Sequence, residues 1–359
     1  MSWIPSMSVK ARPEIELLTA YRLPQTAGVK LNQNESPDDW PAELKADVLR
    51  ELERLPWNRY PPVDAQPLRE ALAAVVGVSP GMVAATNGSN EALLALVQAF
   101  ASGRTVVTTV PGYSMVPVLA VVGGARVQQV RLRQDFSLDV EAMRSAVARP
   151  DAALTVIASP NNPTGNRFDS LGIEAVLDAA AGLVVVDEAY GDFVDESFVS
   201  NVRSRPNLAV LRTFSKAFGL AGVRVGWIIG SEPVIAAVGK ALPPYNLSLF
   251  AQETARAALR RPDLMSARVQ RIVDERRRIE GGLRALPGVE VFPTETNFAL
   301  FRTPYSAAGV FEALLHRGVL VRDVSRVPLL DRCLRVTVGT PRENDCFLDA
   351  LGAALEETR

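Results

Sequence analysis

The stretch Thr213-Phe214-Ser215-Lys216-Ala217-Phe218-Gly219-Leu220-Ala221-Gly222-Val223-Arg224-Val225-Gly226 decides how the rest of this chain is read. It follows an apolar run, 208–213, with the length and character of a buried strand. One lysine stands just past that strand. Hydroxyls precede it, glycines follow it, and an arginine comes eight positions on. A lysine amine must be deprotonated to form an imine with an aldehyde, and a partly desolvated site with positive charge nearby favours that state. The arginine offers a fork for an anion. An ordinary surface lysine is the structural alternative, and the glycine-rich turn with Arg224 behind it weighs against that.

Outward from this segment, residues 61–230 alternate between helical stretches and short apolar strands. Candidate strands are 105–109, 126–130, 154–158, 183–186, 208–213 and 225–229, and candidate helices include 91–100 and 173–181. Several strands are valine-rich without polar alternation, as strands covered on both faces are. The order predicts an α/β large domain over 46–250, with a mostly parallel sheet flanked by helices. Beyond about residue 247 the texture changes. Residues 251–286 read as a long arginine-rich helix broken near Pro262. Strands follow at 289–292, 297–301, 319–321 and 334–338, with helices near 306–317 and 343–356. This predicts a smaller α+β domain of residues 251–359, with residues 1–45 packed against it as an arm.

The chain has 359 residues, of which 48% are hydrophobic, enough for about two cored domains. Its net charge is −1 with no long basic run, so a nucleic-acid surface is not expected. Cys333 and Cys346 have no metal-ligand spacing and read as reduced residues. His316 is the single histidine, which excludes a multi-histidine metal site; it reads as an ordinary residue at a helix end. No secretory h-region and no run long enough to span a bilayer is evident, so a soluble cytoplasmic protein is expected.

Other residues collect where strands end. Asp187 closes the run Leu183-Val184-Val185-Val186, at the carboxyl edge where open α/β sheets place ligands. A buried carboxylate needs a cationic partner, although Asp187 could also cap a helix. Asn161 lies in the turn Ser159-Pro160-Asn161-Asn162-Pro163-Thr164-Gly165, at the end of another strand. Asn87-Gly88-Ser89-Asn90-Glu91 precedes an apolar helix. Free amides and the macrodipole there make an anion site, and a simple helix cap is the alternative. Tyr113, after Pro111-Gly112, could stack on a flat ring. Arg335 alternates with apolar side chains in Arg335-Val336-Thr337-Val338-Gly339.

Taken in order, Asn-Gly-Ser-Asn-Glu, Asn-Asn-Pro-Thr-Gly, Asp-Glu-Ala-Tyr, Ser-Lys-Ala-Phe-Gly and Arg335 resemble the fold-type I aminotransferases, which use pyridoxal 5'-phosphate, over essentially the whole chain. The resemblance implies Lys216 as the imine-forming residue and Asp187 on the ring nitrogen. It implies Asn161 and Tyr190 on the phenolic oxygen, a phosphate cup of Ser89, Asn90, Ser215 and Arg224, and a homodimer with shared sites. The segments 31–37, 58–61, 244–246, 297–298 and 335–341 look most like the histidinol-phosphate aminotransferase family. That implies Tyr60 on the cofactor phosphate of the partner subunit, Arg335 on the substrate anion with Arg322 nearby, and Tyr21 and Asn34 beside the substrate. The implied reaction is ping-pong transfer of an amino group from histidinol phosphate to 2-oxoglutarate. The chain departs from the family pattern in places: Val116 stands where an aromatic is usual, Gly112 where a larger residue is common, and several residues flanking Asn34 also vary. Such positions bear on side-chain fit. Aromatic amino-acid aminotransferases and threonine-phosphate decarboxylase share much of the pattern. A non-catalytic regulator of the same fold would carry a fused DNA-binding domain, and about 45 residues without a helix-turn-helix pattern precede the cofactor domain. A dinucleotide enzyme would show G-x-G-x-x-G after a strand, and none does.

Overall fold

In the computed structural model of the chain, residues 9–20 and 28–358 are described. A two-residue strand β1 (Val29–Lys30) comes first. Then β2 (Val83–Thr86), β3 (Thr105–Val110), β4 (Arg126–Arg131), β5 (Ala152–Ala158), β6 (Leu183–Asp187), β7 (Leu208–Thr213) and β8 (Gly226–Gly230) form one sheet in the order β2-β8-β7-β6-β5-β3-β4. The neighbours from β7 to β4 are parallel, and β8 runs antiparallel to both β7 and β2. The expected mostly parallel sheet is present. Strand β2 was not among the expected strands; four residues with two alanines carry little strand signal.

The helices are α1 (Pro13–Glu16), α2 (Ala42–Glu53), α3 (Gln66–Val76), α4 (Ser89–Leu96), α5 (Met115–Val122), α6 (Val140–Val147), α7 (Ser170–Ala179), α8 (Glu232–Ala241), α9 (Leu249–Leu259), α10 (Pro262–Ala285), α11 (Ala307–His316) and α12 (Pro341–Glu357). Alternation along β6 shows why the strands read as unbroken apolar runs. Val184 and Val186 face a core shared with α3, α6, α7 and α9, while Val185 faces one shared with α4, α5 and α8. Burying each such side chain is worth roughly 1.5–3 kcal/mol, more than any local propensity difference.

The C-terminal part is built on a second, antiparallel sheet. Its strands β9 (Glu290–Val291), β10 (Phe298–Arg302), β12 (Arg322–Asp323) and β13 (Cys333–Thr337) lie in the order β12-β13-β10-β9. The strand expected at 319–321 is instead two: β11 (Val319–Leu320) pairs in parallel with β1, and β12 joins the sheet. Ile272, Ile279 and Leu283 of α10, Leu314 of α11 and Phe347 of α12 close its core. Helix α12 starts with a reciprocal cap, in which the Thr340 hydroxyl accepts from the Glu343 amide (3.3 Å) and the Glu343 carboxylate accepts from the Thr340 amide (2.8 Å). The expected long helix breaks as Pro262 implied, since α9 ends at Leu259 and Pro262 opens α10.

The arm belongs to both parts. Leu31 lies in the C-terminal core, whereas Trp40 lies in the core of the main sheet. The expected domain limits at 45/46 and 250/251 fall inside α2 and α9. Ala251, Ala255 and Ala258 of α9 pack into the core of the main sheet.

Candidate active site

The parallel strands deliver their following residues to one sheet edge. Gly112 and Tyr113 follow β3, the turn 159–165 follows β5, Asp187 ends β6, and Ser215 and Lys216 follow β7. Strand β8 runs the other way, so the residues before it reach the same edge. Its first residue, Gly226, pairs with Thr213 on one side and Thr86 on the other. That register brings Arg224 beside Ser215 and brings the start of α4, three residues after Thr86, beside both. A cavity of about 630 Å³ opens there.

One end of the cavity is a cup for an anion. Ser89, Asn90, Ser215 and Arg224 line it. The Arg224 guanidinium donates to Ser215 Oγ (3.3 Å), which also accepts from Thr213 Oγ1 (3.0 Å). Two glycines make the cup possible. A Cβ on Gly88, whose φ is +74°, would lie 2.1 Å from the Arg224 guanidinium, and one on Gly226 would lie 2.5 Å from the Ser89 amide nitrogen. Only glycine lets the helix start, the strand and the guanidinium converge this closely. The Tyr113 hydroxyl donates to Asn90 Oδ1 (3.0 Å) on the same wall. Gly112 is likewise constrained, because a Cβ there would sit 2.4 Å from the Thr109 carbonyl oxygen.

Lys216 and Asp187 occupy the middle. The Lys216 amine donates to the backbone carbonyls of Asn34 (2.8 Å) and Gln33 (3.2 Å). Burial pushes its pKa down to about 7; the Arg335 and Arg224 charges add to this and the Glu35 and Asp187 carboxylates oppose it. Asp187 is buried and accepts from the Ala189 amide (3.0 Å). Burial pushes its carboxyl up to about 6, only partly offset by that amide and by Lys216. Such a carboxylate is poised to take up a cationic partner. The loop that bears it is pinned by Glu188, which sequence reasoning passed over. Glu188 accepts from the Phe198 amide (2.6 Å) and the Ser197 hydroxyl (2.8 Å) and pairs with Arg212 (2.7 Å).

The turn after β5 requires a correction. Asn161 is fully buried below the cavity, donating its amide to Thr164 Oγ1 (2.7 Å) and the Pro111 carbonyl (3.2 Å). It forms the base of the turn, with the Gly165 amide donating to its carbonyl (2.8 Å). The residue that lines the cavity is Asn162, whose Oδ1 accepts from the Arg335 guanidinium. The neighbouring asparagine in the sequence was the only signal for it. Tyr190 does line the cavity, and its hydroxyl accepts from Asn34 Nδ2 (2.7 Å).

The far end carries two arginines. Arg322 of β12 stands directly opposite Arg335 of β13 in an antiparallel pair, and both line the cavity. Opposite residues share a face, and like charges so placed repel. Arg335 is held in this position by the Asn32 carbonyl (2.8 Å) and by the Phe298 ring, 5.1 Å away. Two guanidinium groups on one face of a cavity present forks suited to a phosphate or a carboxylate.

The remaining expectations divide. Val116 is buried in the core rather than at the cavity, so it does not read the ligand; the helical step from Met115 to Val116 turns it inward, and Met115 lines the wall instead. His316 is exposed in the last turn of α11. Tyr60 is 80% exposed, stacks on Tyr245 (4.4 Å), and does not line the cavity of its own chain. Tyr21 lies outside the described residues.

These residues fit pyridoxal 5'-phosphate. The cup matches a phosphate, Lys216 an aldehyde and Asp187 a protonated ring nitrogen. Asn32 Oδ1, buried at the cavity wall, has no donor among the described residues, and buried polar atoms of this kind call for a polar ligand or water. Comparison with known proteins agrees. The profile of the aminotransferase class I and II family matches residues 26–351. The chain is 42% identical over 97% of its length, and 95% of the relative's, to histidinol-phosphate aminotransferase 1 of Ralstonia nicotianae. It is 41% identical over 96% of both chains to histidinol-phosphate aminotransferase 2 of Cupriavidus pinatubonensis. The crystal structure of histidinol-phosphate aminotransferase from Sinorhizobium meliloti in complex with pyridoxal-5'-phosphate superposes with a TM-score of 0.88 at 26% identity, covering 99% of this chain and 100% of that one.

Proposed function

The chain belongs to the class I and II aminotransferases, and we propose that it transfers the amino group of histidinol phosphate to 2-oxoglutarate with pyridoxal 5'-phosphate as cofactor. Its fold is the type I fold of that cofactor's transferases. The observation that carries the substrate assignment is the opposed pair Arg322 and Arg335 in the cavity that holds Lys216. Histidinol phosphate has no carboxylate, and its phosphate must dock where the carboxylate of glutamate docks in the other half-reaction. Guanidinium forks accept either anion.

When bound, pyridoxal 5'-phosphate supplies an aldehyde for the donor amine and a ring that withdraws electrons from the donor's α-carbon. Ser89, Asn90, Ser215 and Arg224 hold its phosphate. Asp187, whose own charge is disfavoured by burial, would hold positive charge on the ring nitrogen, and Tyr190 and Asn162 would serve as partners for the ring oxygen. Lys216 anchors the aldehyde. As the free amine, with its pKa lowered toward neutrality, Nζ takes the proton from the donor's α-carbon and returns it during exchange. Met115, Val324 and Val327 supply an apolar wall for the donor side chain.

A second copy of this chain completes the site. Tyr60 stacks on Tyr245, whose amide donates to the Val63 carbonyl (3.3 Å), and all three side chains are exposed on a single chain, which supports placing Tyr60 in the partner's cup. Among the described residues no helix is long and apolar enough to cross a membrane, and we place the enzyme in the cytoplasm. The test is spectral. Histidinol phosphate should discharge the visible absorbance of the purified holoenzyme, and 2-oxoglutarate should restore it. Discharge by phenylalanine and not by histidinol phosphate would overturn the assignment, as would release of carbon dioxide from threonine phosphate.

A further inference from the structure

Asn34 is a buried residue at the cavity wall whose four polar groups are all engaged. Its amide donates to Thr337 Oγ1 (2.8 Å), and its Oδ1 accepts from the same hydroxyl (3.1 Å). Its carbonyl accepts from Asn297 Nδ2 (3.0 Å) and from the Lys216 amine (2.8 Å). Its Nδ2 donates to the Tyr190 hydroxyl (2.7 Å). Its φ is +54°, a left-handed conformation that asparagine tolerates better than most residues. A residue so occupied is poorly placed to grip a substrate, and well placed to join Lys216 and Tyr190 to the C-terminal sheet.

We propose that Asn34 is a positioning residue that turns the Tyr190 phenol into a donor toward the cofactor and fixes where the free Lys216 amine rests. An amide nitrogen can only donate, so the Tyr190 oxygen must accept from it. The phenol's own proton is then directed to another acceptor, and the ring oxygen of the cofactor is the acceptor the cavity brings to it. The Asn34 carbonyl, locked by Asn297 and by the left-handed turn, is the resting place of the amine between anchoring and proton transfer. The charged groups acting on this pair are Arg335, Arg224, Glu35 and Asp187, and the neutral amide adds no charge of its own.

The proposal rests on Lys216 and Tyr190 facing the cofactor, and two substitutions separate its parts. Asn34→Gly keeps the left-handed backbone and removes the amide; Asn34→Asp keeps the shape and lets a carboxylate take the Tyr190 proton. A phenol donating to the ring oxygen favours its charged form. Asn34→Asp is therefore expected to raise the pH midpoint of the holoenzyme's visible absorbance by about one unit, and Asn34→Gly to raise it less. Asn34→Gly should also slow capture of pyridoxal 5'-phosphate by the cofactor-free protein, trapped with borohydride, roughly tenfold or more. In a Tyr190→Phe background, Asn34→Gly should leave the midpoint where Tyr190→Phe alone puts it. A lowered melting temperature with unchanged midpoint and capture rate would overturn the proposal, and so would a full additional shift in the Tyr190→Phe background. If Asn34→Gly does not fold, the Asn34→Asp midpoint alone decides. A Lys216→Ala protein that still develops the absorbance would sink the underlying reading of Lys216 instead.

Discussion

Replacing Gly88 by alanine tests the phosphate cup, because two separable penalties follow from its geometry. Its φ of +74° and ψ of +166° lie where L-residues are essentially not found, and holding alanine there costs roughly 1–3 kcal/mol. That strain burdens the fold whether or not a cofactor is bound. The second penalty concerns binding alone. The new Cβ would fall 2.1 Å from the Arg224 guanidinium, far inside contact distance, so the guanidinium must shift away from the start of α4. Losing a hydrogen bond to a charged group removes roughly 1.5–3 kcal/mol, which is a loss of cofactor affinity of roughly ten- to hundredfold. Gly77 supplies the control. It also has a positive φ (+68°), but its Cβ would meet nothing within 4 Å. Gly77→Ala should therefore lower stability by about 1 kcal/mol and leave affinity alone. The assay is titration of the cofactor-free proteins with pyridoxal 5'-phosphate, followed by absorbance, alongside urea unfolding of the same samples. Gly88→Ala that binds the cofactor as tightly as the parent, with stability alone reduced, would refute the placement of Arg224 in the cup.

Arg335→Lys keeps the charge but loses the planar fork, and should lower kcat/KM for phosphate- and carboxylate-bearing donors alike by roughly tenfold or more; a loss confined to one of them would show that the two anions dock apart. Asp187 gives a pH signature in the cofactor-free protein. Its carboxyl is pushed up to about 6 from 3.8, so the folded state holds the proton more tightly than the unfolded one. The resulting stabilisation is complete below the unfolded value and is lost as pH rises through about 4 to 6, amounting to about 3 kcal/mol. Urea midpoints of the parent should fall relative to Asp187→Asn over that window, and parallel curves would contradict it. Met115→Ala should change the ratio of kcat/KM between candidate donors, whereas Val116→Ala should cost stability of about 1–3 kcal/mol with that ratio unchanged; the reverse pattern in steady-state assays would mean the α5 register is wrong.

Strand ends were the most legible part of the chain. The runs that became β5, β6 and β8 are largely apolar because both faces of the sheet are covered there, and the residues at the carboxyl ends of the parallel strands are carried to the cavity by topology alone. Ser215, Lys216 and Asp187 follow from that. Arg224 follows only once β8 is known to run antiparallel, which the sequence does not state. Turns were less legible, since one residue of offset reverses inside and outside. Asn161 and Asn162 are chemically identical, and only hydrogen bonding around Thr164 and Arg335 distinguishes them. Val116 fails for the same reason on a helix, where one step is about 100°. Contacts between distant segments left no signal in periodicity or spacing, and the nearness of Arg322 to Arg335 came only with the family resemblance. Asn34 meets Thr337 across 303 positions, and Arg322 faces Arg335 through a strand pairing that a two-residue strand cannot announce.

The two ends of the cavity are held by different scaffolds, and Lys216 sits on the seam between them. The cup is fixed by the main sheet, where the register of Gly226 with Thr86 and Thr213 allows no slip. The arginine pair is fixed by the antiparallel sheet of the C-terminal part. Between them, Phe214 lies in the core of the first and Ala217 in the core of the second, so the segment bearing Lys216 is anchored in both. The Phe218 carbonyl then accepts from Trp40 Nε1 of the arm and from Arg268 Nη1 of α10, each at 2.7 Å. The arginines are thus carried by the C-terminal part, the cup by the main sheet, and Lys216 by both. The anion site for the donor and the cup are therefore built on separate sheets, with the reacting lysine between them. That is the property an enzyme needs when one site must take the phosphate of one substrate and the carboxylate of the next.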